Sequence, residues 1–161
     1  MLIREIQIKD DPVIKQIIQS SLELYDLALP GTAYFDPELG HLSEFYGKKT
    51  NAAYWVIEKD GQVLGGCGIA PFDKKAKICE LQKIYLAKEA QGQGMARLLM
   101  NRALAYAEKY YDFCYLETMK RMEKANYLYQ SFGFEKLPEP LAGSEHSVME
   151  VWYLKELQDE K

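Results

Sequence analysis

The feature that most constrains this chain is the run from Ile78 to Leu99. It reads I-C-E-L-Q-K-I-Y-L, then A-K-E-A-Q-G-Q-G, then M-A-R-L-L. A strand-like segment passes through a short polar turn with two glycines straight into an amphipathic helix. That order aims backbone N–H groups and the positive end of a helix at one spot, where an anion can sit.

Two familiar anion-binding turns do not match. A P-loop needs G-x-x-x-x-G-K-[ST], but no Lys-Ser or Lys-Thr follows Gly94, and Lys49-Thr50 follows Gly47 without the earlier glycine. A dinucleotide fingerprint needs G-x-G-x-x-G, and Arg97 stands where the third glycine belongs. The pattern Q/R-x-x-G-x-G/A does fit, with Gln91, Gly94 and Ala96 in its three fixed positions. Between a strand and a helix, it resembles the acyl-CoA-binding signature of the GCN5-related N-acetyltransferases. Glu80 stands eleven residues before Gln91, the spacing of the base in the family's histone-acetylating branch. The segment from Ala125 to Phe134, A-N-Y-L-Y-Q-S-F-G-F, is similar to the family's A-x-x-L-Y-x-x-x-G-F. The resemblance thus spans Ile78–Phe134. One departure is Met122, where the family often has an asparagine that contacts the cofactor.

The resemblance implies acetyl-CoA as co-substrate. Its pantetheine arm would lie against main-chain groups of Ile84, Tyr85 and Leu86, entering a gap between two splayed parallel strands. The amides of Gln91, Gly92, Gln93, Gly94, Met95 and Ala96 would hold the pyrophosphate, with Arg97 adding charge. Gly92 and Gly94 are there because a Cβ would block close approach or an unfavourable φ. Tyr129 matches the family position for the acid that protonates the leaving thiolate.

Elementary chemistry asks for the same groups. A lysine-type amine, with pKa ~10.4, is protonated at pH 7, and freeing its lone pair costs about 4–5 kcal/mol. A carboxylate near the nucleophile offsets that cost. Glu80 is the best-placed one, on a strand face shared with Gln82, with Ile84 and Leu86 further along. Its alternative role is a sheet-edge carboxylate paired with Lys83 or Arg121. Tyr34, Tyr46, Gln82 and His146 are candidate acceptor contacts. The aromatics among them, with Phe35, would otherwise cover core edges.

Composition narrows the classes. The 161 residues, 48% apolar and 27% charged, suit one globular domain over 1–161. The net charge of −4 argues against a nucleic-acid groove and favours cationic substrates. No apolar run reaches the ~20 residues of a membrane span, and the first residues lack the pattern of a secretory signal, so the cytoplasm is the expected compartment. Cys67, Cys79 and Cys114 lie in strand-like runs without a C-x-x-C pair, and two histidines do not suggest a zinc site. No metal is expected.

Along the chain, Leu2–Ile8 alternates as an edge strand, and Asp10 or Asp11 with Pro12 opens a helix carrying Val13, Ile17, Ile18, Leu22 and Tyr25. Asp36-Pro37 opens a second helix to Gly47. Ala53–Lys59 and Gln62–Ile69 form a hairpin around Asp60-Gly61. Gly65 and Gly66 there read as packing positions. Then come a central strand over 77–86, a helix over 94–110, a strand at 113–118, a helix over 121–132, and paired strands at 134–137 and 148–154. The expected fold is α/β: a mixed, mostly antiparallel sheet of about seven strands with a splayed parallel pair, flanked by about four helices. The expected activity is N-acetyl transfer to a primary amine by direct attack in a ternary complex, with a small acceptor. Cys79, on the face opposite Glu80, disfavours an acyl-cysteine route. The alternatives are an acyl-CoA-sensing or interaction module without catalysis. A homodimer through the last strands is an expectation by analogy.

Overall fold

The computed structural model describes residues 1–145 and 148–157. In chain order the elements are β1 (Leu2–Glu5), α1 (Asp11–Leu24), α2 (Leu42–Gly47), β2 (Ala53–Lys59), β3 (Gln62–Asp73), β4 (Ile78–Leu86), α3 (Met95–Tyr110), β5 (Phe113–Thr118), α4 (Glu123–Ser131), β6 (Glu135–Leu137) and β7 (Val151–Glu156). The strands form one sheet in the order β1-β2-β3-β4-β5-β7-β6. Every neighbouring pair is antiparallel except β4 with β5, which is parallel. The expected mixed α/β sheet with its single parallel pair is the one found.

Each face of the sheet carries its own core. On one, α3 lays Met95, Leu99, Met100, Ala103 and Ala107 over Trp55, Ile57, Cys67, Cys79 and Leu81, and Tyr129 of α4 joins them. On the other, Ile14, Ile17, Ile18 and Leu22 of α1 meet Leu42, Tyr46, Tyr54 and Val56. Full burial of one such aliphatic side chain contributes roughly 1.5–3 kcal/mol, so the two helix layers fix the sheet between them. The face of α1 is set partly by Ile14, which the sequence reading leaves out of its stripe.

Several boundaries differ from expectation, each for a local reason. β1 stops at Glu5, and Ile8 is exposed in a short 3₁₀ turn. Asp10 caps no helix with its side chain. It receives both Arg4 guanidinium nitrogens, at 2.8 and 3.0 Å, and the Gln7 N–H at 2.8 Å. α2 starts at Leu42 rather than Asp36, because the Asp36 carboxylate pairs with Lys83 at 2.8 Å. The start of α2 is held from a distance: Asp11 accepts the Ser43 N–H at 2.9 Å and its hydroxyl at 2.6 Å. β3 runs on through Pro71 to Asp73, and β7 begins at Val151.

The consequential difference lies in β4. Gly66 pairs with Tyr85 and Gly68 with Gln82, so Lys83 and Ile84 together oppose Cys67. Lys83 takes a left-handed φ of +51°, and the Tyr54 hydroxyl donates to its carbonyl at 2.8 Å. This β-bulge shifts the alternation by one residue. Glu80 and Gln82 therefore lie on the α2 side with Tyr46, while Ile84 and Leu86 pack on the α3 side. The expectation that these four share a face is corrected.

Candidate active site

The site is built where the parallel pair comes apart. Ile78, Cys79 and Glu80 pair with Phe113, Cys114 and Tyr115, and the pairing ends there. Beyond Glu80, β4 stays paired with β3 and β5 with β7, but not with each other. A cleft of about 320 Å³ is walled by Ile84, Tyr85 and Leu86 on one side and by Met122, Ala125, Leu128 and Tyr129 of the α4 region on the other. Gln91, Gly92, Gly94, Met95, Ala96 and Arg97 form its mouth, and Ser21 of α1 and Tyr25, just after that helix, also line it.

At the mouth, Gly94 is the residue before α3 and sits at φ +80°, with Gly92 at +79°. No side chain of the N-cap residue caps the helix, and its first N–H groups, which have no intrahelical acceptor, belong to residues that line the mouth. Space is not what demands glycine, because a Cβ at either position would meet nothing within 4 Å. Arg97 lies over the Phe132 ring at 4.8 Å and donates to Ser131 Oγ at 3.0 Å. Gln93 does not line the cleft; its amide donates back to the Glu89 carbonyl at 2.9 Å.

Glu80 stands at the last paired position, half-buried, and its Oε1 accepts a 2.7 Å bond from Gln82 Nε2. Gln82 Oε1 in turn accepts the Tyr46 hydroxyl at 2.6 Å. Neither proposed charge partner is taken up by Glu80 in these bonds: Lys83 reaches Asp36 and Glu38, and Arg121 donates to the Tyr25 carbonyl at 2.8 Å. Tyr129 is buried beside Phe134 and Tyr153, and burial pushes its hydroxyl well above the ordinary tyrosine value, so it keeps its proton. Its hydroxyl makes no hydrogen bond to a described residue.

The acceptor-side candidates divide. Tyr46 is only 2% exposed, so it stands behind Gln82 instead of facing an incoming molecule. Tyr34 is half-buried and donates to Glu23 at 2.8 Å. His146 lies outside the described residues. Two residues that follow β6 reach the sheet face that carries Glu80. Leu141 N–H donates to the Tyr115 hydroxyl at 3.2 Å, and Ser144 donates to Glu117. The sequence offers no sign of Ser21, Tyr25 or Lys124 at the cleft, because only tertiary packing brings these side chains there. The three cysteines are free and buried, with Cys67 and Cys114 pushed upward by burial. Among the described residues no cluster of three or more metal-ligating side chains occurs, and no helix is long and apolar enough to cross a membrane.

The parallel pair thus ends at a carboxylate, beside a cleft lined by a glycine turn and a buried tyrosine. The family model described as "Acetyltransferase (GNAT) domain" matches residues 50–136. An uncharacterized N-acetyltransferase of Escherichia coli K12, YjgM, is 37% identical over 159 residues, covering 97% of this chain and 95% of that protein. A GNAT-family acetyltransferase of Staphylococcus aureus Mu50 superposes with a TM-score of 0.82 at 19% identity, covering 98% of this chain and 99% of the other. The Vibrio cholerae spermidine N-acetyltransferase, solved with CoA and spermine, gives 0.71 at 21% identity, with 97% and 95% covered. The chain belongs to the GNAT acetyltransferase family and is an N-acetyltransferase.

Proposed function

We propose that the protein binds acetyl-CoA in the cleft between β4 and β5 and transfers its acetyl group directly to the primary amine of a small acceptor. The observation that carries this reading is the fork after Glu80, beside a cleft that Tyr129 lines and that has the bare start of α3 at its mouth. Two positive-φ glycines and a helix start without a side-chain cap suit a pyrophosphate, and the apolar walls suit a pantetheine arm.

In this reading Glu80 takes the proton from the attacking nitrogen as the N–C bond forms at the thioester carbonyl. The bond to sulfur then breaks, and Tyr129 donates a hydrogen bond to the departing thiolate. Because burial holds the Tyr129 proton tightly, the residue stabilises charge on sulfur and does not surrender the proton outright. Direct attack is favoured over an acyl-cysteine route because Cys79 packs in the core on the face opposite Glu80.

The test is calorimetric titration of the protein with acetyl-CoA beside Gly94→Glu, followed by thiol release with a panel of amines. Micromolar binding lost in Gly94→Glu, and turnover lowered 10²–10⁴-fold by Glu80→Gln, is the expected result. Absence of binding overturns the reading. Binding without turnover of any amine leaves a sensing module.

A further inference from the structure

Behind Glu80 lies a second tier of polar groups that the transfer chemistry alone does not call for. We propose that Tyr46 and Gln82 form a hydrogen-bonded relay that positions the Glu80 carboxylate for its work as base, an inference that rests on the acetyltransferase reading. Tyr46 and Gln82 are then positioning residues: neither touches the reacting atoms.

The geometry selects one arrangement. Gln82 offers one acceptor and one donor end, and Tyr46 donates to the first at 2.6 Å while Glu80 receives from the second at 2.7 Å. Turning the amide over would set its oxygen against a carboxylate oxygen and deprive the buried phenol of its acceptor. Both partners therefore enforce the same orientation. Burial also keeps the Tyr46 hydroxyl protonated, since it is pushed well above the ordinary tyrosine value. It remains a donor throughout the working pH range.

The surroundings are shaped for the phenol. Gly68 pairs directly with Gln82 across β3 and β4, and a Cβ there would lie 2.7 Å from the Tyr46 oxygen and 2.8 Å from Cζ. Tyr46 thus occupies the space that any other residue at 68 would fill. Its helix is anchored by the Asp11 bonds to Ser43, and its ring packs on Tyr54 at 5.3 Å. The bulge at Lys83 follows at once, carrying its ammonium away to Asp36 and Glu38. Across the fork, Tyr115 is engaged with Glu117 at 2.8 Å.

The test is ¹⁵N and ¹³C NMR on the full chain with no acyl donor or acceptor present. Gln82→Met and Glu80→Gln assign the Gln82 side-chain amide and the Glu80 carboxyl carbon. Tyr46→Phe is expected to speed hydrogen exchange of the Gln82 amide about tenfold, the worth of one hydrogen bond. It should also move the Glu80 carboxyl signal in the direction that Gln82→Met moves it. Gly68→Ala, which crowds the phenol without removing it, should give the same signature. Wild-type signals in Tyr46→Phe overturn the relay, as does a Glu80 resonance indifferent to Gln82→Met. Failure of the acetyl-CoA titration would instead overturn the underlying reading, and the NMR measurement does not depend on it.

Discussion

Two sets of glycines flank β4, and they are glycine for opposite reasons. Gly92 and Gly94, before α3, sit at φ +79° and +80° in open space, with nothing within 4 Å of a built Cβ. Gly65 and Gly66, in β3, have no left-handed φ but no room: a Cβ would lie 2.4 Å from the Tyr85 carbonyl oxygen and 2.4 Å from the Tyr54 ring, respectively. One set is required by conformation, the other by absence of volume. A substitution series separates the two, because asparagine tolerates left-handed backbone and alanine is merely small.

The largest effect falls on the crowded set. Gly66→Ala brings its Cβ within 2.7 Å of the Trp55 carbonyl oxygen as well as onto Tyr54, so backbone has to move. Overpacking of this kind costs about 3 kcal/mol. Gly66→Asn should cost more still, and urea midpoints with an unchanged m-value would show both losses. A Gly66→Asn more stable than Gly66→Ala would break the comparison.

The next effect concerns the buried tyrosines, of which Tyr54 is the one that Gly66 makes room for. Tyr46, Tyr54, Tyr85 and Tyr129 are all raised above the ordinary tyrosine value by burial. A group whose folded value is raised gives its full stabilisation below the unfolded value, near 10, and loses it as pH climbs through the folded value. Stability should therefore begin to fall above about pH 8.5, where the buried Cys67 and Cys114, raised in the same way, start to ionise in the unfolded chain, and fall more steeply above about 10. Each such tyrosine adds a slope of about 1.4 kcal/mol per pH unit. Tyr54→Phe should remove one slope from the alkaline limb. An alkaline limb identical in wild type and Tyr54→Phe would place that tyrosine's ionisation outside the folding equilibrium.

The same contrast explains how much could be read before the structure. The strands Ala53–Lys59 and Phe113–Thr118 and the glycine turn were legible because alternation, β-branched residues and G-x-G spacing are local signals. The expected cofactor contacts lie together for the same reason, Gln93 excepted. The bulge at Lys83 was not legible, since a lysine gives no sign of a left-handed φ and the displaced face of Ile84 and Leu86 follows from it. Tyr46 was assigned to the acceptor side because an aromatic beside a cleft and an aromatic behind a carboxylate look alike in sequence. What separates them is Gly68, 22 residues on, whose missing side chain decides where the phenol goes. The short α2 likewise depends on Asp11, 32 residues before its partner Ser43.

On the open set, Gly94→Ala should cost about 1 kcal/mol, the penalty of a Cβ in the left-handed region, and Gly94→Asn less. This ranking is the reverse of that at Gly66. Both variants should still bind acetyl-CoA more weakly than wild type if the turn has to approach a pyrophosphate closely. Wild-type affinity in Gly94→Asn would show that conformation alone is required there.

The smallest effect isolates charge from shape at the same mouth. Arg97 is exposed, stacked on Phe132 and bonded to Ser131, contacts together worth about 0.5 kcal/mol. Arg97→Ala should thus hardly move the urea midpoint. If the guanidinium also faces bound phosphate, the variant should lose several-fold in acetyl-CoA affinity at low salt. That loss should shrink at ~0.5 M NaCl, where the Debye length falls to roughly 4 Å. A salt-independent loss would mean that Arg97 works through Phe132 and the packing of α4. The glycine turn would then hold the anion with backbone alone.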